Sequence, residues 1–111
     1  MRKADINYSI VLDENNIPDK ISWKASDNGG EGRCKAIMLA MWDEDEKNTM
    51  RIDLWTKDML VDDMKKFFHQ TLVTMTDTFQ RATGEEKMVG DMRDFCAYFA
   101  EKMQLSAPAE Q

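Results

Sequence analysis

The chain is poor in the residues that usually make a site obvious. Its 111 residues include one histidine, two cysteines and two prolines. The histidine, His69, falls on the polar side of a helical stretch. Lys65, Lys66, Leu72 and Val73 lie three and four residues away, and none of them would orient it as a base. No serine or cysteine sits in a nucleophile-elbow pattern. The cysteines and the histidine are not at zinc spacing, so neither a metal nor a cofactor is expected. Carboxylates fall in turns and on solvent faces, where general acid work is not expected. Catalytic residues are therefore expected to be absent.

Long apolar runs are missing as well. No segment approaches the ~18 consecutive apolar residues that cross a bilayer. Arg2 and Lys3 are not followed by the apolar core of a secretory signal, so the chain is expected in the cytoplasm. Basic charge is also scarce: 15 Lys and Arg against 21 Asp and Glu, a net charge of −6. The basic residues are interspersed with acids. Binding to nucleic acid or an anionic membrane surface, which needs clustered cations, is not expected.

Methionine, by contrast, is abundant, with ten residues. Its flexible, polarisable side chain fills irregular core gaps and also lines adaptable binding surfaces. Two thiols in a cytoplasmic chain rarely pair. Cys96 falls on an apolar helix face, and Cys34, beside Arg33 and Lys35, reads as an inert thiol.

The longest patterned stretch runs from Thr56 to Thr83. Leu60, Met64, Phe67, Phe68, Leu72, Met75, Phe79 and Ala82 recur at steps of three and four, so they share one stripe of a helix. Asp62, Lys66, His69, Gln70, Asp77 and Arg81 lie opposite, with Val73 an apolar exception among them. Thr56 or Asp58 is placed to cap this helix. Asp62–Lys66 and Asp77–Arg81 are spaced as i,i+4 pairs. Thr83 and Glu86 fit a capping box for a second helix, with Met88, Met92, Phe95, Cys96, Phe99 and Met103 as its stripe. Gly90, inside that helix, implies close packing. Residues 106–111 read as a flexible tail.

Before the helices the period changes to two. Ile6, Tyr8, Ile10 and Leu12 alternate with Asn7, Ser9 and Val11. After a turn, Ile21, Trp23 and Ala25 alternate with Ser22 and Lys24. S-D-N-G-G-E-G reads as a plain loop. Residues 36–42, A-I-M-L-A-M-W, are apolar throughout, and periodicity alone does not separate helix from strand there. The alternating T-M-R-I-D-L-W run after the polar D-E-D-E-K-N connection favours a hairpin. Ile37, Leu39 and Met41 would then point one way and Ala36, Met38, Ala40 and Trp42 the other. The acids Asp43 to Glu46 lack the ligand spacing and central glycine of a calcium loop and read as a solvated turn.

These readings give one α+β domain over residues 1–105. A four-stranded antiparallel sheet is followed by two amphipathic helices on one face. One sheet face remains to be covered by a subunit or client, and Trp23, Met38, Trp42 and Trp55 are the candidate partner-binding residues.

The runs I-D-L-W-T-K-D-M, M-K-K-F-F-H-Q-T-L, D-T-F-Q-R-A-T-G-E-E-K-M and D-F-C-A-Y-F-A-E-K-M resemble the gliding-motility protein family GldC of Bacteroidetes. The likeness spans nearly the whole chain and includes K-A-I-M-L-A-M-W-D. It implies a small non-enzymatic accessory protein of gliding motility and the associated type IX secretion machinery, with no catalytic residues to carry over. A second resemblance is of topology alone. Four strands then two helices, in a small acidic chain, is similar to the export chaperone SecB. That family assembles as dimers that pair into tetramers and holds unfolded clients on apolar grooves. Two functions follow as expectations: an oligomer that presents apolar sheet to a partner polypeptide, or a structural adaptor whose apolar face is buried in its own homodimer or homotetramer.

Overall fold

The computed structural model describes residues 1–27 and 29–105. The expected tail, 106–111, lies outside the described residues. Five strands precede two helices: β1 (Ile6–Leu12), β2 (Pro18–Ala25), β3 (Glu31–Cys34), β4 (Ala36–Trp42), β5 (Thr49–Trp55), α1 (Val61–Thr83) and α2 (Glu86–Lys102). The α+β class and the order of strands before helices are as expected. A single four-stranded sheet is not what forms. The strands make an antiparallel three-stranded sheet, β1-β2-β3, and a two-stranded ribbon, β4-β5.

The difference arises at Glu31–Cys34, which begins in the last two residues of the expected loop and runs beyond it. Gly32 and Cys34 pair with Trp23 and Ile21, while Glu31 and Arg33 pair with Lys24 and Ser22. Such a short strand, half of it Gly and Cys, leaves little periodic signal. A bend at Lys35 then separates β3 from β4. Residues 36–42 are extended, as expected, and run antiparallel to β5.

The chain divides into two compact units, Met1–Met59 and Leu60–Gln111. Each is described by itself. The first is stitched at the Lys35 bend. The Thr56 amide donates to the Lys35 carbonyl at 2.8 Å, and the Lys57 amide donates to Pro18 O at 3.1 Å. Thr56 is buried, and its hydroxyl donates to Asp58 Oδ1 at 2.7 Å. Lys35 Nζ holds the other Asp58 oxygen at 2.8 Å. Asp58 is thus committed to this corner and does not cap α1. That helix starts at Val61 after Leu60, without a side-chain cap. Ile21, 1 % exposed, is the apolar centre of the unit.

The second unit is an antiparallel helical hairpin. Gly84, at φ 70°, ends α1 in the left-handed conformation that glycine adopts without a Cβ penalty. Its amide donates to Gln80 O at 2.9 Å. The expected capping box does not form. Thr83 Oγ1 donates to Phe79 O and accepts from the Glu85 amide, and Glu86 accepts from Gln80 Nε2. Position 83 belongs to the last turn of α1, so its hydroxyl serves that helix.

Candidate functional site

Pairing register shows which side chains share a face of the β4–β5 ribbon, because directly opposed residues project the same way. Ile37–Leu54, Leu39–Ile52 and Met41–Met50 form one face, apolar at all six positions. Ala36–Trp55, Met38–Asp53, Ala40–Arg51 and Trp42–Thr49 form the other. Side chains therefore leave β4 apolar on both sides, as its sequence implied. A two-stranded ribbon has no interior, so both faces need cover.

The second face contains three of the four residues expected to bind a partner. Trp42 is 66 % exposed and Trp55 is 56 % exposed, at opposite ends, while Met38 between them is half-buried. Between the two tryptophans Arg51 makes a forked ion pair with Asp53, at 3.0 and 2.7 Å. This contact holds the Asp53 carboxyl below its usual range. Beside Trp55 a cleft of ≈ 270 Å³ is lined by Ile17, Pro18, Asp53, Leu54, Trp55 and Lys57.

Trp23 is placed elsewhere. It lies in the three-stranded sheet between Tyr8 and Gly32. A Cβ on Gly32 would sit 3.0 Å from the indole Nε1, so the ring lies directly over that glycine. The adjoining hollow, ≈ 560 Å³, is lined mainly by polar residues, Asn7, Ser9, Ser22, Lys24, Glu31 and Arg33 among them. Strand alternation alone does not tell an aromatic on a glycine-backed sheet from one on a free ribbon.

The ionisable groups near the corner are displaced in a structural direction. Asp13 is held low by the Ile17 amide, by Lys57 and by the Asn15 amide. Asp58 is held low by Lys35 and Thr56. A general acid needs a raised carboxyl, so these shifts point away from that role. Burial pushes the Cys34 thiol up. Asp43 accepts from the Asp45 and Glu46 amides, closing the acidic turn with its own carboxylate. Among the described residues no group of three His, Cys, Asp or Glu is gathered for a metal.

The hairpin presents a second apolar surface that the sequence reading did not single out. Its two helices meet through Thr76 and Cys96, 3.9 Å apart and both buried. His69 also faces this seam and stacks on Phe99 at 6.1 Å, so it does not lie on an open polar side. Asp77 pairs across the seam with Arg93 at 3.1 Å, in place of the expected Arg81. Val73 is half-buried. At ~100° per residue, Phe68 and Met75 lie about 90° to one side of Thr76, and Met88 and Phe95 lie the same angle from Cys96. In antiparallel helices those offsets fall on one side of the hairpin. All four residues are exposed, Met75 at 52 % and Phe95 at 51 %. The contact between the helices therefore uses the flank of each stripe, and a shared apolar side remains. Gly90 is not a close-packing position, because a Cβ there meets nothing within 4 Å.

No helix among the described residues is long and apolar enough to cross a membrane. Residues 18–105 match the family described as gliding motility-associated protein GldC-like. Comparison with curated proteins and with solved structures finds no match.

Proposed function

Because the chain belongs to the GldC-like family of gliding motility-associated proteins, we propose that it is a non-enzymatic accessory protein of the motility and type IX secretion machinery, acting in the cytoplasm. In this reading it is an oligomeric, chaperone-like adaptor that binds a partner polypeptide on apolar sheet surface. The observation that supports it is the β4–β5 ribbon, whose strand β4 is apolar on both faces, with Trp42 and Trp55 left open to solvent. Exposed aromatics of this size are unusual on a surface without a partner and are the commonest anchors where one binds. The cleft beside Trp55 accepts one apolar side chain of the partner. Met38 supplies an adaptable contact between the two rings. Trp23 contributes from the neighbouring sheet only if the partner extends that far.

Tryptophan fluorescence titration against purified motility-apparatus polypeptides, and against an unfolded model client, tests the reading. Binding is expected to shift emission and to be lost in Trp42→Ser and Trp55→Ser. A folded protein with no affinity for either kind of polypeptide would remove it. The purely structural adaptor is the second reading, favoured by the six-residue apolar face on the reverse of the ribbon. It predicts a stable oligomer that leaves hydrophobic dyes unbound.

A further inference from the structure

The ladder of the ribbon determines which backbone groups of β4 are already used. At one end the Thr56 amide donates to Lys35 O at 2.8 Å, and at the other the Asp43 amide donates to Asn48 O at 2.9 Å. Bonded and non-bonded pairs alternate in an antiparallel ladder. Ile37, Leu39 and Met41 therefore commit their backbone groups to β5, while Ala36, Met38, Ala40 and Trp42 direct theirs to the opposite edge. The Ala36 amide is taken by the Cys34 thiol. Among the described residues no strand pairs with the remainder.

Exposed edges are ordinarily blunted by charge, proline or a bulge. The sequence of β4, AIMLAMW, has no charge, proline or glycine. The groups flanking it are charged with opposite sign: Arg33 and Lys35 before, Asp43 to Glu46 after. Two copies of such a strand, laid antiparallel about Leu39, pair Met38 with Ala40 through free backbone groups and set Ala36 opposite Trp42, where the Ala36 carbonyl is still free to accept. The same register brings Lys35 opposite Asp43 and Arg33 toward Asp45, at both ends. Arg33 and Asp45 make no ion pair among the described residues and are exposed. Lys35 and Asp43 already have partners within the chain, Asp58 and the Asp45 and Glu46 amides, so Arg33 and Asp45 are the pair left to set the register.

We infer that a second copy of this chain adds to β4 across a two-fold axis at Leu39, joining two ribbons into one four-stranded sheet. The inference rests on the oligomeric part of the reading above and identifies the surface responsible. A two-fold contact of this kind is self-complementary, as closed dimers require. Main-chain bonds supply the affinity and the terminal charges set the register.

The test is molar mass by light scattering and native mass spectrometry, at tens of micromolar protein. The wild type is expected at twice 12.9 kDa or a multiple of that. Ala40→Pro is expected to fall to 12.9 kDa with an unchanged far-UV spectrum. Its lost N–H is one that β5 does not use, and proline is tolerated there on an edge strand. Arg33→Glu and Asp45→Arg leave the strand untouched. Each is expected to weaken the dimer about tenfold, and an equimolar mixture of the two to restore it, since the signs again match. A monomeric wild type overturns the inference, as does an Ala40→Pro that keeps the wild-type mass. If Ala40→Pro misfolds, the charge variants decide, and a mixture no stronger than its components overturns it. Titration of the motility polypeptides on the same samples separates the two readings. An Ala40→Pro monomer that still binds them supports two distinct surfaces, whereas a monomeric wild type whose binding Ala40→Pro abolishes makes the partner the added strand.

Discussion

Lys57 Nζ lies 3.0 Å from Asp13 Oδ2 and joins the loop after β5 to the turn before β2 across 44 residues of sequence. Asp13 serves that turn with its other oxygen, accepting from the Asn15 amide at 2.8 Å and the Ile17 amide at 3.0 Å. One carboxylate thus closes a local turn and a long-range contact together.

Acid should loosen this unit first. Asp13 and Asp58 are both held below the ordinary value of 3.8 in the folded chain. A depressed carboxyl contributes its stability in full above the unfolded value. That contribution is lost as pH falls through 3.8 toward the folded value. Equilibrium denaturation between pH 6 and 2 should show the loss, and Asp13→Asn should flatten that part of the profile while lowering stability at pH 6.

Replacing Gly90 by Ala should stabilise the hairpin. The position is exposed, helical and unobstructed. The gain expected from helix propensity is about 1 kcal/mol, readable as a raised thermal midpoint. A loss of stability would mean that something covers Gly90 in solution.

Replacing Gly32 by Ala should act the other way. The new methyl would meet the Trp23 indole at 3.0–3.3 Å. The ring must shift, at a cost of about 1–3 kcal/mol. A displaced Trp23 emission maximum together with a lowered denaturation midpoint would report it. The two exposed tryptophans behave differently: Trp42→Ser and Trp55→Ser should leave stability within about 0.5 kcal/mol while removing partner binding.

The two thiols should react at different rates. Cys34 is half-buried and its thiol is pushed up by burial. Cys96 is 7 % exposed, against Thr76. A thiol reagent at pH 8 should label Cys34 slowly in the native protein and Cys96 only when the hairpin opens. Equal native rates would contradict this packing of the seam.

The elements that were legible in the sequence are those with undiluted periodicity. Residues 6–12 and 49–55 are strands as alternation assigns them, and 36–42 was legible only through the hairpin context that follows it. Helix α2 runs where its spacing places it, although Met88 and Phe95 of its expected stripe are exposed and Val89, outside it, is buried. The failures share a cause: local signals compete with distant partners. Glu31–Cys34 has too few apolar residues to stand out from a glycine-rich loop, and its strand character comes from β2. Asp58 and Thr83 have the chemistry of helix caps, but Lys35 and Phe79 engage them. Asp77 has Arg81 at the right spacing on its own helix, yet Arg93 reaches it from the other. Of the candidate site, Met38, Trp42 and Trp55 were chosen as apolar sheet residues, and the pairing register puts them on one face. Trp23 was grouped with them because the bend at Lys35, which sets the sheets apart, rests on hydrogen bonds between residues far apart in sequence.

In the proposed reading, the Arg51–Asp53 fork, set midway along the tryptophan face, would make that face a gauge of length. Trp42 and Trp55 sit some six positions apart along the ribbon, about 20 Å at strand rise. A stretched ligand spans that gap with about six residues, and a coiled one needs about thirteen. Shorter stretches would reach one ring and then only Met38 and the charge pair beside it, so in that reading the spacing itself would screen candidates before any side chain is compared.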